Sequence, residues 1–518
     1  MPAASGHHVR RGVPVQTGRR DVLRTGGAIV AAGAAIALGG ADGPAFAAAR
    51  RTSLAGGAEP AAWRELARSL SPAARLYRPG QPEYAARATV DNQRYASVRP
   101  AGVLACATES DVQTAVLWCA KHGVPLAPRS GGHNYAGYST TPGLVISLRA
   151  MKQVEPRGHE LRLGGGATNS DVYVARAANL YFPGGRCPEV GVAGLTLGGG
   201  LGFNDRKWGL TCDRLTETRL VLADGALVRA AEDENPDLFW ACRGGAGGNF
   251  GINTAFTFAA VPVGRLRATV FHLTYPLHAA VDVLEELRDI LDTDRDNDFD
   301  VRIGFKHAGD GKSTLALLGQ RLGDEDGLLR RFTPLLRLRP AQAVIEERGF
   351  WSAQEFLMET PGPKEAYASK SLVPNQWPSP DTVAAIADWT RNWRPGPGRG
   401  TGYVTLFAMG GDTATRRPDE TAYPHRAAAF VIDIGTHWKP ATRPAEVRGL
   451  LEQTRAAHHM LRRHLNTDAA YVNFPDPDLR DWRHAYYGAN YDRLVDVKRR
   501  YDPAALFRYQ QAVGRPQP

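Results

Sequence analysis

This chain of 518 residues sets a histidine and a cysteine at the edges of two glycine clusters. His133 closes the run Pro128-Arg129-Ser130-Gly131-Gly132 and precedes Asn134. Cys187 stands in Gly184-Gly185-Arg186-Cys187-Pro188-Glu189-Val190-Gly191, and glycines continue at Gly194, Gly198, Gly199, Gly200 and Gly202. Glycine pairs let backbone N–H groups approach anionic oxygens with no Cβ in the way. Such density is costly in any regular element, so it points to a ligand held against the backbone. Imidazole and thiolate are the nucleophilic side chains at the edges of these two clusters. Taken singly, the same residues also fit a surface histidine after a turn and a buried thiol or disulfide partner. A third cluster, 237–252, holds Gly-Gly twice before Asn249 and ends in Gly251-Ile252.

Several other chemistries lack support. None of the clusters matches G-x-G-x-x-G, the nicotinamide dinucleotide fingerprint. Gly311-Lys312-Ser313 imitates the end of a P-loop, but Lys306 occupies the position of its first glycine. The five cysteines, Cys106, Cys119, Cys187, Cys212 and Cys242, show no metal-ligand spacing. His458 and His459 are adjacent on an expected helix and point apart, so no metal site is read.

The elements that must position these residues follow from periodicity. A helix is expected over 111–120, then strands over 124–127, 143–148 and 161–163, and a helical stretch over 171–178. The strand at 124–127 delivers the chain into the Ser130-Gly131-Gly132 turn. From Gly264 to Arg463 the pattern changes to long amphipathic helices, such as 279–291, and strands such as 314–318, 403–408 and 429–434. Two Pro/Gly-rich pieces, 361–363 and 394–400, read as loops within that second domain.

The amino terminus differs in kind. Arg19, Arg20 and Arg24 precede a small-residue apolar run over 25–40, then Ala45-Phe46-Ala47, the order of a cleaved signal peptide. The run is short and rich in Gly and Ala for a membrane span, so no stable membrane anchor is expected. The formal charge is +10, and the five Arg and two Asp of residues 1–47 account for +3 of it. Basic residues elsewhere are mixed with acids and form no aromatic-interleaved stripe, so a nucleic-acid partner is not expected.

The three glycine motifs, in this order and spacing, resemble the PCMH-type FAD-binding domain of the vanillyl-alcohol oxidase superfamily, and in particular its berberine-bridge-enzyme-like branch. The likeness extends to Asp213, Asp224-Gly225, 421–426, 471–476, 486–490 and 501–503. The pair Arg19-Arg20 resembles a twin-arginine (Tat) signal, which implies export after folding by the Tat machinery. The resemblance implies an α+β fold: a two-subdomain FAD-binding domain, a substrate domain with an antiparallel sheet backed by helices, and a C-terminal segment returning to the flavin domain. The expected divisions are 1–47 for the leader, 48–97 for a lead-in, 98–263 for FAD binding, 264–464 for substrate and 465–518 for the return.

For the site, the resemblance implies FAD bonded twice, His133 to the 8α-methyl group and Cys187 to C6. It places Arg129, Ser130, Gly131, Gly132, Asn134, Ser139, Val190, Gly191, Gly194, Gly198, Gly199, Gly200, Gly202, Gly251, Ile252 and Asn473 around the cofactor. Tyr471 matches the first tyrosine of a Y-x-N-Y motif and is implied as the proton acceptor, although a phenol with a pKa near 10 needs help to act as a base. Asp433 is the expected helper, and a strand Asp facing solvent fits the same position. Phe474 departs from the motif by losing a hydroxyl. The expected activity is oxidation of an alcohol or sugar hydroxyl by hydride transfer to flavin N5, with oxygen as acceptor and hydrogen peroxide as product. Oxidative cyclisation or tailoring of a metabolite, and a non-catalytic flavin-binding role, are the alternatives.

Overall fold

The first helix in the described part of the chain, Pro60–Arg68, presents Ala62, Trp63 and Leu66 to a four-stranded sheet. The computed structural model describes residues 58–515, and the leader read in 1–47 lies outside them. The sheet runs Arg75–Tyr77, Gly102–Ala105, Leu144–Ser147, Leu126–Arg129, with the last three parallel. Parallel strands need a crossover, and Glu109–His122 supplies it. Thr108 and Asp111 form a capping box at its start, and Gly123 at φ 63° ends it. Its Val112, Ala115, Val116 and Cys119 pack on Leu104, Leu126 and Ile146. The glycine turn with His133 therefore leaves the carboxyl end of a parallel strand, where such sheets bind ligands. The expected lead-in is integral to this sheet, through Arg75–Tyr77.

A second, five-stranded antiparallel sheet runs Val154–Arg157, Glu160–Gly164, Ile252–Ala259, Leu215–Val221, Leu227–Ala231. The helix expected over 171–178 is instead a single turn, Asn169–Val172, continued as a 3-10 helix, Tyr173–Ala178. Asn179, left-handed at φ 54°, ends it at the expected position.

The third sheet has seven antiparallel strands in the order Gln342–Gly349, Arg267–Tyr275, Ser313–Leu322, Phe299–His307, Thr401–Ala408, Phe430–Trp438, Ala366–Leu372. Side chains alternate between its faces. Phe271, Val301, Ile303, Leu317, Val404, Leu406, Ile432 and Ile434 lie against the helices Ala280–Asp292, Glu325–Arg337, Pro380–Arg391 and Pro444–Leu465. Each such residue, when fully buried, contributes about 1.5–3 kcal/mol. The residues between them are thereby turned to the opposite face, where Val431 packs with Leu201, Leu210 and Tyr471 of the glycine-rich half. This alternation aims one face of the sheet at the glycine loops.

The carboxyl-terminal helices Trp482–Tyr487 and Tyr491–Tyr501 return to the first half, with Tyr486, Tyr487, Leu494 and Val497 in a core with Leu238, Phe239 and Phe250. Lys498 is buried there and donates to the carbonyls of Asn249 and Phe507 and to Asp502, each at 2.6 Å. Among the described residues no helix is long and apolar enough to cross a membrane.

Candidate active site

The first two glycine motifs meet backbone to backbone. A Cβ on Gly131 would lie 2.4 Å from the carbonyl oxygen of Glu189 and from the nitrogen of Gly191, and one on Gly191 would lie 2.3 Å from Ser130 Oγ. No side chain fits between the two segments. Nearby, the hydroxyls of Ser130, Tyr138, Ser139 and Thr140 are buried without a hydrogen-bond partner. Buried polar atoms left unpaired are rare in folded proteins, so a polar group belongs beside them. A glycine-lined backbone and unpaired hydroxyls fit the pyrophosphate and sugar of a dinucleotide such as FAD.

Other expected cofactor residues shape the cradle rather than face it. The Arg129 guanidinium turns back to the carbonyls of Ser139 at 2.8 Å and Arg87 at 2.7 Å, and burial lowers its pKa to about 10. Asn134 Oδ1 accepts from the amides of Ala136 and Tyr138, both at 3.0 Å, and folds the turn after His133. Gly202 abuts Gly184, and Gly251 abuts the Val221 carbonyl. The Ile252 side chain belongs to the first core, and open space surrounds the Gly194 Cβ position. Asp213 receives both terminal nitrogens of Arg426 at 2.7 Å, which accounts for two of the matched motifs by one buried pair.

His133 and Cys187 each stand against a carboxylate that sequence reasoning did not single out. His133 Nδ1 is 3.3 Å from Asp91 Oδ2, an oxygen that also accepts from the Tyr367 hydroxyl at 3.1 Å. Burial lowers the His133 pKa, against the opposing pull of Asp91, and so favours the neutral, nucleophilic imidazole. Glu189 brings a third ligand-type atom within 4.8 Å of the other two. Cys187 Sγ donates to Glu359 Oε2 at 2.8 Å, and burial followed by the Glu359 charge pushes the thiol up to about 12. All five cysteines are free thiols, so Cys187 is not a disulfide partner in this structure.

The opposite wall is the open face of the seven-stranded sheet. Asp433 is 5% exposed; the Ser369 hydroxyl donates to one of its oxygens, and the Tyr403 hydroxyl to the other at 3.4 Å. Burial raises its pKa to about 6, opposed by Ser369. A Cβ on Gly435 would fall 2.2 Å from the Tyr403 hydroxyl oxygen, so only glycine lets that phenol cross to the carboxylate. Tyr135 stacks on Phe474 at 5.2 Å and meets Tyr367 edge-on at 5.1 Å, and Phe407 lies 5.6 Å from Phe474. The residue that breaks Y-x-N-Y thus belongs to an aromatic wall.

Tyr471 is deeper, at 1% exposure. Its oxygen accepts from the Gly200 amide at 2.9 Å and from Asn473 Nδ2 at 3.1 Å, and the same Asn473 amide reaches the Leu195 carbonyl at 2.9 Å. Gly198 and Gly199, the latter at φ +119°, press against Asn473 and Tyr423. Burial raises the Tyr471 pKa, and the two donors oppose it. The expected pairing with Asp433 is not formed, because the Asp433 hydrogen bonds run to Ser369 and Tyr403. Tyr471 holds the glycine loop, whereas Asp433 lies on the face that looks toward it.

Asp91, Glu359, Tyr135, Tyr403 and Ser369 were missed in the sequence. Only Tyr403 carried a signal, as a residue of the alternating run 401–408. Asp91 lies in the lead-in and Glu359 beside a Pro/Gly loop, where no periodicity operates.

Comparison with known proteins gives two family matches: an FAD binding domain over residues 100–231 and a berberine and berberine-like segment over 470–514. An FAD-linked oxidoreductase of Bacillus subtilis is 31% identical over 423 residues, covering 79% of this chain and 90% of that one. A xylooligosaccharide oxidase of Thermothelomyces thermophilus is 31% identical over 452 residues, covering 80% and 87%. Among solved structures, xylooligosaccharide oxidase from Myceliophthora thermophila in complex with xylobiose has a TM-score of 0.77 at 27% identity, covering 88% of this chain and 100% of that one.

Proposed function

Since the chain belongs to the berberine-bridge-like FAD-linked oxidoreductases, we propose that it holds FAD by bonds to both His133 and Cys187 and oxidises a sugar or alcohol hydroxyl, with oxygen as acceptor and hydrogen peroxide as product. Bound FAD supplies a two-electron acceptor for the hydride of a C–H bond. The chain's own residues supply the rest. Asp433 takes the hydroxyl proton, which is the role the buried carboxylate supports best and the observation that carries this reading. A carboxylate with its pKa raised to about 6 is a stronger base than an exposed one yet is ionised at neutral pH. Tyr403 and Ser369 donate to it and fix its direction. Tyr471 and Asn473 keep the glycine loop in place.

Tyr135, Tyr367, Phe407 and Phe474 offer flat apolar faces suited to a sugar ring or an aryl alcohol. A substrate of the oligosaccharide kind agrees with the named activity of the xylooligosaccharide oxidase relative. Oxidative tailoring of a metabolite is the second reading, favoured by the aromatic character of the same wall. The leader in 1–47 agrees with Tat export of the folded, loaded protein.

The test is anaerobic bleaching of the flavin by a panel of sugars and aryl alcohols, in the wild type and in D433N. The wild type is expected to bleach with at least one class and to release peroxide when air is admitted. D433N should retain FAD and bleach roughly 100-fold or more slowly. Equal bleaching in both forms would remove Asp433 from the chemistry.

A further inference from the structure

We propose that Glu359 is the base that takes the thiol proton of Cys187 as this cysteine bonds to the flavin, so that the chain catalyses its own attachment there. The inference rests on the attachment reading above. Glu359 comes from a segment 172 residues away and approaches in the geometry a proton transfer needs: Oε2 accepts from Sγ at 2.8 Å. Its backbone amide donates to the Arg186 carbonyl at 3.0 Å, and its Oε1 lies 3.5 Å from the Arg186 guanidinium. The carboxylate is thus anchored to the residue preceding the cysteine by both main chain and side chain, and the thiol is its only other hydrogen-bond partner among the described residues. The segment that carries it leaves the helix Phe350–Leu357 and runs into the strand Ala366–Leu372, whose Tyr367 and Ser369 face the site.

The charges around the pair set which group holds the proton before attack. Arg186 and Arg302 face both groups, and His133 and Tyr135 lie within electrostatic range of Glu359. Against the burial that would raise it, Arg186, the Cys187 hydrogen bond and Arg302 bring the Glu359 pKa below its ordinary value. The carboxylate is therefore ionised at neutral pH, while the thiol keeps its proton. A neutral thiol is a poor nucleophile, so attack needs an acceptor in place as the bond forms. In the step itself the S–H bond breaks and its proton passes to Glu359 as the S–C6 bond forms. The C6 hydrogen leaves as a proton, the two electrons reduce the isoalloxazine, and dioxygen reoxidises it with formation of hydrogen peroxide.

The test uses the full chain made without flavin, with His133→Ala in the background so that Cys187 is the only tether. FAD is added in air, and the covalent mass increment is followed over time from about pH 6 to about pH 10. H133A is expected to gain the increment, and H133A/E359Q to gain it roughly 100-fold more slowly near neutral pH. The gap should close as pH rises, because hydroxide then ionises the thiol directly. H133A/E359D, which keeps a carboxylate, should recover part of the rate. Equal rates for H133A and H133A/E359Q, a gap that does not change with pH, or E359D no faster than E359Q would each overturn the role of Glu359. Failure of H133A to gain any covalent FAD would instead overturn attachment through Cys187, and this inference with it.

Discussion

At the scale of residues, the proposed division of labour gives the proton to Asp433 and the hold on the glycine loop to Tyr471. A base whose pKa lies near 6 must be ionised to act, so kcat/KM should rise with pH through about 6 and flatten above it, and D433N should abolish that limb along with most of the rate. Tyr471→Phe tests the other assignment. It strands two buried donors, the Gly200 amide and Asn473 Nδ2, at a cost of about 2–4 kcal/mol in denaturant unfolding, with flavin reduction slowed roughly ten-fold or less. Unchanged stability with turnover lost would return the proton-accepting role to Tyr471. The glycine loops with His133 and Cys187 beside them were legible as a candidate site because glycine density and nucleophile type coincide within a few positions. Asp91 and Glu359 were not, since each meets its partner only after the chain has folded across 42 and 172 residues respectively.

At the scale of elements, the seven-stranded sheet sorts its own residues by alternation. Ile432 and Ile434 go to the helices, and Val431 and Asp433 go to the opposite face, so the strand is two-sided. Its all-buried character hid this, because a strand covered on both faces reads as one apolar run. Gly435 is the element's adjustment for chemistry, since it lets Tyr403 lie across the strand to Asp433. Gly435→Ala should displace that phenol and lower kcat/KM about ten-fold or more while FAD stays bound; a variant with full activity would show that the Tyr403 contact is dispensable. Helix and strand positions elsewhere were largely readable. The 171–178 stretch ends where periodicity puts its end, but as one α turn followed by a 3-10 run.

At the scale of the whole molecule, the halves are joined by buried ion pairs rather than by apolar contact alone. Arg426, from the segment before the Asp433 strand, holds Asp213 of the flavin-binding half through two bonds at 2.7 Å, both side chains nearly inaccessible. Removing one partner leaves an uncompensated buried charge, so Asp213→Asn should cost about 3–5 kcal/mol in unfolding measurements; a loss below about 1 kcal/mol would mean that water reaches the pair. The sheet face, the glycine loops and the segment with Tyr471 and Phe474 thus meet from three parts of the chain.

The most direct measurement of the proposed flavin attachment is the intact mass of the purified protein after denaturation. The wild type, H133A and C187A should each carry one FAD increment, and H133A/C187A should carry none while still binding dissociable FAD. A wild-type mass equal to that of the bare chain would contradict the account.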